Sequence, residues 1–249
     1  RKPAVRGKHK MNYPHHSDSF DKPELAPVWE FNHVPHKEKW SLTDRPGYFR
    51  IYAQHAKGFY WARNSLTQKV TGPYSTGTVL LDLSGLKEGD FAGNGIMGRM
   101  MYQFGVRKKD NRFWLEMREG NRDAAEMIVD SLELNDVQRI YLRTETTKEG
   151  ATRFHYNRQY HCFGPEGVSN FWGFLGIRHA LCCYNVMKGN PCGYADFDSF
   201  ELESAHRGNH YDAFTEIDFS RYDDREGMTL VRPVGKRPMQ FLTDIKDGD

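Results

Sequence analysis

Between Trp29 and Gln68 the chain reads W-S-L-T-D-R-P-G-Y-F-R-I, and the middle of that run leaves the backbone few choices. Pro46 pre-sets φ at the second position of a turn, and Gly47 accepts the positive φ that a type II turn needs at the third. Tyr48–Tyr52 then follows as a strand dense in aromatic and β-branched residues. Short runs of this kind recur to residue 203, parted by turn signals at roughly the 8–12-residue spacing of a sandwich. They include Ala125–Leu132, Ile140–Thr146, Arg153–Asn157, Asn170–Trp172 leading into Phe174–Tyr184, and Gly193–Phe200. Ser17–Asp21 forms the first edge. At most a short helical turn is expected, and there is no internal repeat.

The stretch 102–117 can be worked out by alternation. If Lys108–Asn111 is the loop, Arg107 pairs with Arg112, Gly105 with Trp114 and Gln103 with Glu116. The opposite face pairs Val106 with Phe113, Phe104 with Leu115 and Tyr102 with Met117, is uniformly apolar and must be core. The first face is polar except for Trp114. Standing opposite a glycine, that indole would offer an open flat platform on which the apolar face of a sugar can stack. The alternative is an aromatic under a loop or against a neighbouring domain. Arg112, Gln103 and Glu116 flank it and could bind hydroxyls, or be solvated surface.

The 249 residues suffice for one large sandwich with a sizeable core, or a sandwich with a partial second unit. A net charge of +2 implies no strong field for nucleic acid or a membrane surface. No apolar run approaches the roughly 20 residues of a membrane span. The first ten residues carry the charge of a signal n-region without an apolar stretch behind it, so the start reads as a cut inside a longer protein. Cys182 and Cys183 are neighbours and point to opposite faces of a strand, so at most one faces the core. Buried free thiols are the first reading for the four cysteines, and a bridge through Cys162 or Cys192 is the alternative. No C-x-x-C pair or Cys/His zinc spacing occurs, and the histidines crowded between 9 and 36 read as solvated linker.

Three motifs carry a family resemblance: W-S-L-T-D-R-P-G-Y, then A-R-N-S-L-T-Q at 62–68, then the closing G-Y-A-D-F-D-S-F at 193–200. Together they resemble the module found C-terminal to the catalytic propeller in β-xylosidases of glycoside hydrolase family 43, related copies of which form carbohydrate-binding module family 91. The resemblance covers residues 17–203 and implies an all-β, concanavalin A-like jelly-roll β-sandwich of two antiparallel sheets. Residues 1–16 would be a linker from a preceding catalytic domain. Residues 204–249 would be a linker and a partial second β module or extension, with a weak likeness to the start of a family 6 carbohydrate-binding module.

The resemblance implies a non-catalytic accessory role in an extracellular or periplasmic bacterial enzyme, whose catalytic carboxylates lie on the propeller. The module would bind xylan, arabinoxylan or xylo-oligosaccharide. Alternatively it is a structural clamp that packs on the propeller and shapes its active-site rim, and a self-contained glycosidase is the third reading. Asn64 and Gln68 match the family's A-R-N-T-L-T-Q strand and read either as the floor of a sugar cleft or as buried amides bracing a sheet. Arg178 and Tyr184 match the arginine and tyrosine of R-F-G-L-F-N-Y, although H-A-L-C-C intervenes here, and Arg178 could equally pair with a carboxylate. No cofactor is implied. A structural Ca²⁺ between first and last strands would draw on Asp18, Asp21, Asp196 and Asp198, against the alternative that these carboxylates bond loop backbone. The E-x-D-x-x-E pattern of retaining glycosidases is echoed only by Glu216-Ile217-Asp218, where Arg221 takes the third acidic position, so that site is rejected. No G-x-S-x-G, H-E-x-x-H or phosphate loop is present.

Overall fold

A computed structural model describes residues 16–71, 74–147, 150–168 and 176–204. The expectations for the 1–16 linker short of His16, for Asn170–Trp172 and for everything after Ser204 lie outside the described residues. The chain divides into two compact units, Arg1–Arg207 and Gly208–Asp249, and the described residues all belong to the first.

In chain order the first strands are β1 (Glu30–Phe31), β2 (Trp40–Ser41), β3 (Phe49–Tyr52), β4 (Leu66–Lys69), β5 (Ser75–Asp82), β6 (Asp90–Met97), β7 (Met101–Lys109) and β8 (Arg112–Gly120). After them come β9 (Met127–Leu134), β10 (Arg139–Thr146), β11 (Ala151–Tyr156), β12 (His161–Cys162), β13 (Gly167–Val168), β14 (Arg178–Asn185) and β15 (Tyr194–Ser204). Two sheets form. One runs β1-β4-β14-β6-β7-β8-β9 and the other β12-β11-β10-β5-β15-β3-β2, with β13 on β11. Neighbours in both are antiparallel, so the fold is the two-sheet sandwich expected. The only helical pieces among the described residues are single 3-10 turns at Lys37–Lys39 and Phe59–Trp61.

The main core lies between the sheets. Phe49, Ile51, Val79, Leu81, Phe197 and Phe200 from one sheet face Leu66, Phe104, Val106, Leu115, Leu181 and Cys183 from the other. Each large side chain contributes about 1.5–3 kcal/mol on leaving water. The turn at 45–48 forms as read: the Tyr48 N–H donates to the Arg45 carbonyl at 3.1 Å, and Gly47 sits at φ +80°. It delivers β3 beside the last strand, where Arg50 pairs with Asp196. The opening and closing motifs of the sequence are therefore neighbours in one sheet.

Several expectations need correction. The β7–β8 loop has two residues, Asp110 and Asn111, both at positive φ (52° and 60°), as in the primed hairpin turns whose twist matches that of the strands. The pairing moves by two: Arg107 faces Trp114, Gly105 faces Glu116, Gln103 faces Arg118, and Val106 faces Leu115. A shift of two keeps every side chain on its face but removes the glycine from across Trp114. Ser17–Asp21 does not form a strand; Asp18 makes a single bridge with Phe200. Both neighbouring cysteines are buried, because both faces of β14 are covered. Cys183 enters the main core and Cys182 a second cluster, and all four thiols are free.

That second cluster occupies the outer face of the seven-stranded sheet. It holds Phe59, Ala62, Phe91, Met97, Met101, Ala180, Cys182 and Tyr184. The Phe59–Trp61 turn drops Phe59 onto Gly95, where an added Cβ would stand 2.8 Å from the ring. The absence of a side chain on β6 makes the seat for this plug.

Candidate functional site

The predicted sugar-binding residues fall into three groups. Gln103, Glu116 and Tyr184 come together on the plugged face and are buried. The Tyr184 hydroxyl contacts Gln103 Oε1 and, at 3.1 Å, Glu126 Oε2. Arg118 bonds Glu116 through Nε at 2.7 Å and through its second terminal nitrogen, and lies 3.9 Å from Glu126. Burial opposes its charge, yet Tyr184, Glu116 and Glu126 around it hold the guanidinium above its usual pKa. Burial pushes the Glu126 carboxyl up, against hydrogen bonds from Phe59 N–H and Tyr184 and the pull of Arg118. Both carboxylates are therefore engaged within the fold.

Asn64 and Gln68 brace loops. The Asn64 amide donates to the His36 carbonyl at 2.9 Å and accepts from the His36 N–H at 3.1 Å. Gln68 makes the same reciprocal pair with His16, at 3.1 and 2.9 Å. Arg178 is buried and reaches Thr67 (3.3 Å) and Asn32 (3.0 Å), with no carboxylate paired to it among the described residues, and burial lowers its pKa.

Trp114 and Arg112 lie nearer solvent. Arg112 is exposed and pairs with Glu133 at 3.0 Å. Trp114 stands half-buried between Arg107 on β7 and Glu133 on β9, its indole nitrogen enclosed and without a partner among the described residues. It is on the outer face, as read, but flanked by long polar side chains. The open platform opposite a glycine is not there.

Two of the suspected calcium donors, Asp196 and Asp18, do other work. Asp196 receives Arg50 through two nitrogens (2.7 and 2.8 Å) and Arg45 at 2.9 Å, and Arg45 also reaches Asp82 at 2.9 Å. Asp18 accepts from the Phe20 N–H (2.9 Å) and the Trp29 indole N–H (2.8 Å). Carboxylates saturated by guanidinium and N–H donors do not fit a cation. No group of three or more His, Cys, Asp or Glu able to hold one gathers among the described residues.

Sequence reasoning missed the aromatic turn itself. Tyr60 and Trp61 border a cleft of about 430 Å³ whose other wall is Asn121–Glu126. Trp61 is 46% exposed. Three consecutive aromatics after Lys57-Gly58 were a signal, since in a strand they could not share one face.

The profile of the β-xylosidase C-terminal concanavalin A-like domain matches residues 17–203. A β-xylosidase of Formosa agariphila is 28% identical across 76% of this chain and 35% of its own length. A bifunctional GH43-CE protein of Bacteroides eggerthii superimposes at a TM-score of 0.69 with 33% identity, over 75% of this chain and 25% of that one. A GH43 glycoside hydrolase engineered to display endo-xylanase and exo-arabinofuranosidase activity matches the fold at 0.71 with 22% identity, over 80% of this chain and 43% of that one. The chain thus spans about a third of the length of the Formosa agariphila β-xylosidase.

Proposed function

The chain belongs to the family of β-xylosidase C-terminal concanavalin A-like domains, and from that premise we propose that it is a non-catalytic accessory module of a larger family 43 glycoside hydrolase acting on xylan or arabinoxylan. Its partner is the catalytic domain of the same parent chain, on which it packs as a structural body and whose active-site rim it shapes. Acting on a polysaccharide, such an enzyme works outside the cytoplasm, in the periplasm or beyond.

One observation favours packing over gripping glycan on the sheet. The groups that would bind hydroxyls there, Gln103, Glu116, Arg178 and Tyr184, are buried beneath or beside the Phe59 plug. A chain of sugars would reach them only by displacing that turn. Glycan binding as the second reading rests on a different place, the half-exposed Trp61 beside its cleft.

The test compares the parent enzyme with and without residues 17–203. We expect deletion to lower the melting temperature of the catalytic domain and weaken turnover of xylo-oligosaccharides. An indifferent catalytic domain overturns the structural role. Hydrolysis of aryl xylosides or arabinosides by the 249-residue chain alone overturns the accessory reading in favour of a self-contained glycosidase.

A further inference from the structure

We propose that the cleft between the Phe59–Trp61 turn and the 121–126 segment is a subsite for one pyranose unit of a xylan-type chain, with the Trp61 indole as its stacking floor. The inference rests on the reading that the module serves a xylan-acting enzyme, and adds a place where the module touches the glycan.

The platform is set before any ligand arrives. Asn32 Nδ2–H and His33 Nε2–H both donate to the Tyr60 carbonyl, at 2.9 and 2.6 Å, and fasten the turn to the preceding loop. The His33 ring lies parallel to the indole (7°, centroids 6.2 Å apart), and the Tyr60 ring meets it edge-on at 4.9 Å. The Trp61 backbone N–H donates to the Gly58 carbonyl at 3.0 Å. A ring held this way loses little freedom on binding, which lowers the entropic cost of association.

The facing wall is tied to the same turn. Glu126 accepts the Phe59 N–H, and its carboxylate fills the space where any side chain on Gly58 would stand. The Arg122 guanidinium lies 5.8 Å from the Tyr60 ring centroid, and Asn121 Oδ1 accepts from the Asp123 and Ala124 N–H groups at 2.8 Å. Cleft volume falls within the roughly 300–1,000 Å³ typical of small-ligand sites.

The lining selects the ligand. Sugar rings offer an apolar C–H face that stacks on indole. Their hydroxyls both donate and accept, which suits a wall carrying Lys57 and Arg122 as donors and Asp123 as an acceptor. A polyanion would meet the Asp123 and Glu126 carboxylates as well as the two cations, and a purely apolar ligand would strip the charges of Lys57, Arg122 and Asp123 of water. A neutral pyranose does neither.

Isothermal titration of xylohexaose into the 249-residue chain tests this. Trp61→Ala should weaken binding about tenfold or more, Trp61→Phe should lose part of that, and Tyr74→Ala, an exposed ring elsewhere, should bind as the parent does. Circular dichroism of each variant establishes that it is folded. Equal affinity for the parent and a folded Trp61→Ala overturns the subsite, as does no detectable binding by the parent. If binding is absent while the catalytic domain still depends on the module, the subsite falls and the accessory reading stands. Hydrolysis by the chain alone overturns that reading itself.

Discussion

At His179, complete burial between the hydroxyls of Ser75 (3.0 Å) and Thr144 (2.9 Å) shuts the imidazole away from water, and that burial pushes its pKa down to about 3. An unfolded histidine takes up its proton near pH 6.5. Below that pH the unfolded chain therefore binds a proton the native state refuses, so stability falls as pH falls from about 6.5 toward 3. By pH 5 the loss is about 2 kcal/mol. Calorimetry should show the melting temperature dropping between pH 7.5 and 5, and His179→Gln should flatten that drop; equal drops in both proteins would refute the assignment. Nothing in R-H-A-L-C-C marks this residue, because its hydroxyl partners come from β5 and β10 of the other sheet. The same gap separates reading from outcome at Gln103, Glu116 and Tyr184. Alternation assigned the face of Gln103 and Glu116 correctly. The cover over that face, Phe59 and Glu126, arrives from distant segments that alternation does not register.

The elements divide by how local their causes are. Arg45–Tyr48 was legible because proline and glycine dictate that turn within four residues. The β7–β8 hairpin was legible in its faces and missed in its length. Lys108 and Lys109 look like loop by polarity, yet they pair with Phe113 and Arg112, leaving Asp110 and Asn111 to turn alone. Both occupy the left-handed region, where an L side chain is disfavoured and asparagine only tolerated. Replacing Asn111 by glycine should therefore stabilise the hairpin by a few tenths to about 1 kcal/mol, read as a rise in the urea midpoint at unchanged slope. A fall would mean that the side chain at 111 makes a contact outweighing its backbone strain.

For the whole module, the anchors that made the family legible are the two ends of one sheet interaction. The Arg45–Asp196–Arg50 network joins residues about 150 apart in sequence, and β15 lies between β5 and β3, which it separates and serves on both sides. Folding rates fall as such non-local pairings come to dominate. A chain ending at Asn190 should lose cooperative unfolding in chemical denaturation, whereas one ending at Ser204 should keep it; a sharp transition in the shorter chain would show that the sheet closes without the strand that joins β5 to β3. During synthesis this order of assembly has a cost. The ribosome delivers the middle plank of the floor after the planks on either side, so the nascent module waits with a slot open down its length, its two bare edges ready to accept any passing strand until the right one emerges.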